Sequence, residues 1–437
     1  MGTAIIDLND SAIQCQHGDV FLAAPGYALL TRQGVITGLD AVRQAWLLPQ
    51  QSHNQYWHQL NLSPLAGANS HARHHADLAY AQLQALYRDA NQPEQVIFTI
   101  PGNFTADQLS ILLGLVKALP FRAVGLVDAA IAAACQTDQS GEIIHVDIQL
   151  HTSVITRIAC GEQVSRRHAT QHPDISLKGF YDTWAYFIAD RFIREYRYDP
   201  MHTAAGEQQL RDLLPGWLQQ LNSSEEIEIE LSAKQGNFRL NVLRTDLISA
   251  NSQRWQRLAD AIARESQPDA ILISHRISAL PGAEDYIEYA GVLRPDAAIT
   301  ASLSHATHIE SGADKLAFIT TLPAIAPAPV EKPIPTAPRA VTAGQRPPSH
   351  VLYQHQAYAI GQMLHIFVGD DGLDISSSTS ENPVDKTSFT LSNQEEKVVL
   401  TCQQDKLPIQ CDGNPDELHV GNEITVHGET LKLIEVL

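Results

Sequence analysis

Apolar and polar positions along this chain follow two periods, and the places where one period gives way to the other mark its elements. Both periods occur twice between residues 96 and 134, VIFTIPGNFTADQLSILLGLVKALPFRAVGLVDAAIAAA. Val96 to Ile100 is a short, β-rich apolar run closed by Pro101-Gly102, which predicts a strand ended by a turn. Thr105 then stands as an N-cap before Leu109, Leu112, Leu113 and Val116, a helical spacing. Val124 to Val127 predicts a second strand, and Asp128 caps an alanine-rich helix over Ala129 to Ala134. The unit is βαβα, and a face of alanines suits close helix packing.

Before this unit, residues 4–8 predict a strand, Asn9-Asp10-Ser11 a polar turn, and Ala12 to Cys15 a second strand, with shorter strands over 20–23 and 27–30. A polar segment, 50–63, leads to a helix predicted over 70–90. After the unit, Ile143 to Ile148 predicts a strand with Asp147 near its end, and Ser153 to Ala159 its hairpin partner, echoing the first strand–turn–strand. Helices are predicted over 180–197, 210–221, 247–264 and 284–290, a half-exposed hairpin over 226–231 and 237–243, and a strand over 270–274. Duplicated α/β lobes are the expected architecture. From Pro323 to Pro348 the composition shifts to alanine, proline and valine, which predicts an extended linker over 323–350. Short β runs at 389–391, 397–401, 424–426 and 430–436 then predict a small all-β domain over 351–437.

At 437 residues the chain exceeds one ordinary core, so two or three domains are expected. A formal net charge of −19 works against nonspecific attraction to nucleic acid or anionic lipid, since both need a basic surface. No apolar run reaches about eighteen residues and the N-terminus lacks a signal peptide's basic and apolar regions, so a cytoplasmic protein without membrane insertion is expected. The five cysteines are scattered with no C-x-x-C, which argues against disulfides or zinc and predicts buried thiols. His71 and His75 lie four apart on the predicted helix, but no cysteine or carboxylate joins them at ligand spacing, and a solvated helix face is expected. G-x-S-x-G, P-loop and H-E-x-x-H motifs are absent.

Taken in order, the motifs of the first 310 residues resemble the nucleotide-binding domain of the seventy-kilodalton heat-shock chaperone family, of the actin-like ATPase superfamily. Ile6-Asp7-Leu8 resembles its first phosphate strand, and GLDAVRQAWLLP (38–49) the segment leading to its catalytic lysine. FTIPGNF (98–104) and GLVDAAIAAA (125–134) are similar to the connecting motifs that follow, and Val146-Asp147-Ile148 stands at the second phosphate loop. AILISHRISALP (270–281) resembles the adenosine-loop strand and RPDAAITASL (294–303) the closing helix. The resemblance implies a two-lobed, ribonuclease H-like fold over 1–322. It implies Asp7, Asp147 and, in place of the family's glutamate, Asp128 as vestigial catalytic acids. Asn9, Asp10, Ser11, Thr152, Ser274 and Arg276 are the groups it would turn toward a nucleotide.

The departures fall on the phosphate chemistry. The family's first loop carries glycine and threonines because backbone N–H groups must approach phosphate closely; here it is Asn9-Asp10-Ser11. An aspartate against a triphosphate adds repulsion of about 1 kcal/mol in water and more in a cleft. The glycine-rich second loop is replaced by Gln149-Leu150-His151-Thr152, and the paired glycines of the adenosine loop by Ser274-His275. No lysine precedes Lys117; Arg43 is the nearest cation, and arginine does not replace a compact ammonium at phosphate. In the C-terminal domain, YAIGQ (358–362), Ser388 to Leu391 and ELHVGNEITV (417–426) resemble strands of a forkhead-associated domain, with Gln362 where the family has its phosphate-binding arginine. The expected function is a pseudo-ATPase scaffold that needs no cofactor and binds protein partners through its cleft and its β-domain. The alternative is an ATP- and magnesium-binding, slow ATPase or chaperone-like protein of the same family.

Overall fold

The computed structural model describes residues 2–324, except 235, 266 and 311–315, and in the C-terminal part 348–353, 356–360, 363–369, 372–376, 388–394, 397–402, 409–411, 418–420, 422–426 and 429–434. The chain divides into two compact units, Met1–Val330 and Glu331–Leu437. Residues 325–347, the greater part of the predicted linker, lie outside the described residues, as do Gln362 and Glu417. Pro323 does not begin a linker; it ends a strand.

Two mixed six-stranded sheets carry the first unit, and five strands of each repeat one topology. In the first, β1 (Ala4–Asp7), β2 (Ile13–His17) and β3 (Val20–Ala24) form an antiparallel meander. A small sheet follows, of β4 (Ala28–Leu30), β5 (Val35–Thr37) and β6 (Ser52–His53), with helix α1 (Leu39–Val42). After α2 (His75–Asp89), strand β7 (Gln95–Ile100) returns parallel to β1; after α3 (Ala106–Lys117), strand β8 (Arg122–Asp128) lies parallel to β7 and leads into α4 (Ala129–Ala134). In the second sheet β9 (Gly141–Ile148), β10 (Ser153–Cys160) and β11 (Gln163–His172) form the corresponding meander. Helices α5 (Leu177–Tyr196) and α6 (Ala204–Leu221), hairpin β12 (Glu226–Ala233) with β13 (Gly236–Leu243), and helices α7 (Arg244–Ala250) and α8 (Ser252–Ala263) come next. Strand β14 (Ala270–Ile273) then runs parallel to β9, and after α9 (His275–Ser278) and α10 (Ala283–Tyr286) strand β15 (Gly291–Val292) runs parallel to β14. Helices α11 (Ala297–Ser304) and α12 (Ala306–Ile309) precede β16 (Phe318–Ile319), which joins β8, and β17 (Thr321–Pro323), which joins β11.

Side chains of alternating direction bury both faces of the inner strands of each sheet. Ile6 and Phe98 pack outward against α2 and α3, while Ile5 and Ile97 face inward. Ile144, Val146 and Ile148 of β9 pack against α5 and α6 in the second outer core, which Trp184 and Trp255 fill. Between the sheets lie α4 and α11, whose alanines form a shared apolar layer with Ile5, Ile143 and Leu272. Larger side chains on α4 would force the sheets apart.

Several predicted boundaries move. The helix predicted over 70–90 starts at His75, because His71 to Asp77 form side-chain turns ahead of it; His71 is therefore in a loop and does not share a helix face with His75. The helix predicted over 247–264 breaks at Asn251, whose buried amide donates to the Phe180 carbonyl at 3.1 Å. The helix predicted over 284–290 stops at Tyr286, and Tyr289 takes a left-handed backbone with φ 58°. Strand β11 has no apolar alternation, since Val164 is its one buried residue, and is set by pairing with β10.

The second unit has two antiparallel sheets. One joins β18 (His350–Tyr353), β19 (Gln356–Ala359), β24 (Ile409–Cys411), β25 (Glu423–Val426) and β26 (Glu429–Ile434); the other joins β20 (Met363–Gly369), β21 (Gly372–Ser376), β22 (Ser388–Gln394) and β23 (Lys397–Cys402). Val351, Ile366, Phe389, Val398, Ile424 and Leu433 form one core between them. No helix among the described residues is long and apolar enough to cross a membrane.

Candidate functional site

Asp7 is the last residue of β1, and Asp147 the next to last of β9. These strands hold the same place in their sheets, so the two carboxylates reach one point from opposite sides. Arg276, on α9 just beyond β14, lies between them: Nη2 donates to Asp7 Oδ2 at 2.9 Å and Nη1 to Asp147 Oδ2 at 3.5 Å. The hydroxyl of Thr99, paired with Asp7 in the β1–β7 register, donates to Asp7 Oδ1 at 2.7 Å. Asn9 Nδ2 donates to Asp147 Oδ2 at 2.8 Å and to the Ile148 carbonyl at 3.1 Å. Asp10 Oδ1 accepts from the Leu150 amide at 2.7 Å. Ser11 stays local, its amide and hydroxyl donating to Asn9 Oδ1 and fixing the turn. Gly26 allows the close approach from behind: its amide donates to the Asp10 carbonyl at 2.8 Å, and a Cβ there would meet that same oxygen.

Two carboxylates thus bracket one guanidinium, with Asp10 near enough to feel its charge, and the side chains of Arg276, Asp7 and Asp147 are 11%, 5% and 16% exposed. They cannot all be charged at equal cost. Burial pushes Asp7 up despite Arg276, and pushes Asp10 up to about 7 against the pull of the Leu150 amide and Arg276. Burial also acts to raise Asp147, but Arg276 and His145 outweigh it and hold that carboxyl below the usual range. Burial and the guanidinium thus split the three carboxyls, holding Asp7 and Asp10 above the usual range and Asp147 below it. Asp10 Oδ2 is buried with no partner among the described residues.

The second loop is equally occupied. Gln149 and Asn103 exchange amide bonds of 3.1 and 3.2 Å. Leu150 enters an apolar cluster with Tyr27, Leu29, Ala41 and Ala45. Burial lowers His151 to about 4, so the ring is neutral and its Nε2–H donates to the Asn54 carbonyl at 2.8 Å. Thr152 is buried and closes the loop, its carbonyl accepting from the Gln149 amide. Ser274 is buried, its amide donating to the Val146 carbonyl.

Asp128 does not join this cluster. It caps α4, with Oδ1 accepting from the Ala130 and Ile131 amides, and Oδ2 pairs with Arg166 Nη1 at 2.6 Å. A cap and an ion pair account for an acid at this strand end without catalysis. Arg43 is also displaced from the site, 70% exposed and paired with Asp40. Contacts absent from the sequence-level expectation tie the halves together farther out: Gln208 on α6 donates to the Val42 carbonyl and accepts from the Trp46 amide, and the Arg211 guanidinium lies 5.2 Å from the Trp46 ring centroid. Polar residues on a mostly apolar helix face were their one sequence signal.

Chemically, the loops after β1 and β9 bond each other directly at 2.7 to 3.1 Å. An interposed phosphoryl group needs about 3 Å to donors on each side, roughly twice that gap. Arg276, the cation of this cluster, is bonded through both Nη atoms to acids that are themselves buried and cannot swing away to make room for an anion. Among the described residues no group of three or more His, Cys, Asp or Glu is placed to hold a metal ion. Compared with protein-family models and with curated proteins, the chain finds no match.

Proposed function

We propose that residues 1–322 are a two-lobed actin-like ATPase fold of the heat-shock chaperone kind whose phosphate site has become structural core, and that the protein acts as a pseudo-ATPase scaffold for protein partners. One observation carries this: Arg276 joins Asp7 to Asp147 across the groove, while Asn9 and Asp10 bond the opposite loop. Phosphoryl transfer needs free, oriented N–H groups and cations, and here they are already engaged. The repeated sheet order supports the family assignment, since strands 1, 2 and 3 of each meander are followed by two parallel strands on the far side of strand 1. With the phosphate position filled by the protein's own side chains, the cleft around it and the C-terminal unit, proposed as a forkhead-associated-like sandwich, are left for partner contacts.

Calorimetric titration with magnesium-ATP tests this directly. No heat of binding is expected up to about 1 mM nucleotide, a concentration that reveals even affinities near −4 kcal/mol. Saturable micromolar binding would overturn the proposal and assign the protein to the ATP-binding members of the fold.

A further inference from the structure

Away from the groove, a cavity of about 240 Å³ lies where β14, α10 and β15 meet the end of α6 and the start of α7. Its apolar wall is formed by Ile273, Leu280, Ile287 and Val292, and its polar side includes Asn222 and Arg244. Two neighbouring polar groups are already engaged: the Asn222 amide donates to the Ala279 carbonyl at 2.7 Å, and the Ser278 hydroxyl to the His275 carbonyl at 3.0 Å. Arg244 keeps donors open to solvent. Its side chain is 14% exposed, and Nη2 alone makes its ion pairs, to Glu284 at 2.5 Å and Asp285 at 3.7 Å. Among the described residues Nε and Nη1 have no acceptor, whereas a guanidinium presents five donors. Glu284 is 79% exposed, a solvated carboxylate that can swing away readily. At the lining's edge Tyr289 is 98% exposed and held in left-handed backbone, φ 58°, a conformation that costs a non-glycine residue and recurs at ligand clamps.

We propose that this cavity binds a small organic acid. The carboxylate takes the place of Glu284 on Arg244, the hydrocarbon body lies along Ile273, Leu280, Ile287 and Val292, and the Tyr289 ring covers the mouth. A volume of 240 Å³ corresponds to about eight waters at about 30 Å³ each, which suits an acid of about ten non-hydrogen atoms. Glu284 and Asp285 beside the guanidinium select a monoanion over a dianion or phosphate. The site does not involve the groove, so its failure would leave the pseudo-ATPase proposal standing.

Sodium phenylacetate is the probe, with phenylacetamide as its neutral, equally shaped control, titrated into the full chain and followed by calorimetry and ligand-observed NMR. The acid is expected to saturate and to bind at least about tenfold more tightly than the amide. Glu284→Gln, an exposed change that removes the competing carboxylate, is expected to tighten the acid several-fold. Arg244→Gln, checked for folding by circular dichroism, is expected to abolish the preference for the acid. Equal affinity for acid and amide, no binding by wild type and Glu284→Gln up to about 10 mM, or a preference unchanged in folded Arg244→Gln would each overturn the proposal.

Discussion

Arg276 shows how much one residue can decide. It is buried between Asp7 and Asp147, and removing only the cation would strand two carboxylates in low dielectric. Arg276→Ala is expected to cost about 3–5 kcal/mol in a denaturant titration, whereas Asp7→Asn, Asp147→Asn and Arg276→Met combined should recover most of that loss. Asp10 makes a separate, pH-dependent prediction. Its carboxyl is raised from the ordinary 3.8 to about 7, so between those values the folded state holds more protons than the unfolded one. Asp10 therefore favours folding at low pH, and that contribution is lost as pH rises through about 7. The lowered His145, His151 and His275 slope the other way, so the informative quantity is the difference from Asp10→Asn. The stability of that variant relative to wild type should improve steadily from about pH 4 to about pH 8, by at most about 4 kcal/mol. Thermal unfolding of both proteins across this range measures it, and a constant difference would show that Asp10 ionises normally.

Elements in this chain depend on fit as much as on propensity. Thr105 caps α3 and Asp128 caps α4 as expected, and Gln108 adds a reciprocal bond to the Thr105 amide. Local chemistry was sufficient there because both partners lie within one turn. Where partners are distant, prediction failed: Asn251 breaks a continuous apolar pattern by reaching Phe180, and β11 exists through its neighbour. Gly125 offers a test of fit. A Cβ at this position of β8 would stand 2.5 Å from Ile309 Cγ2 and 2.8 Å from the Ile309 carbonyl oxygen, and a backbone oxygen does not yield as a side-chain tip does. Gly125→Ala should therefore destabilise the first unit by about 1–3 kcal/mol, despite alanine's usual advantage over glycine. A thermal midpoint equal to or above wild type would mean that α12 is not held against β8.

Two compact units and a proline-rich stretch between them make a prediction for the whole molecule. Within 325–347, Lys332 and Arg346 precede proline and resist trypsin, which leaves Arg339 as the open site. Limited digestion should cut first at Arg339 and yield two fragments that each unfold cooperatively; loss of either fragment before that cut would show that it does not fold independently. Readable from the residues alone were the alternation of strands and helices, the repeat of strand–turn–strand around Asp7 and Asp147, the change of composition at the end of the first unit, and the lack of glycine in the turns after those two strands. These follow from backbone periodicity and from residue chemistry acting over a few positions. The fate of the charged groups was decided only in three dimensions. Asp7 and Arg276 stand 269 positions apart and meet at 2.9 Å because β1 and β14 end at the same level of two sheets, a relation that no local pattern encodes. Asp128, equally acidic and equally placed at a strand end, was taken instead by the helix it precedes.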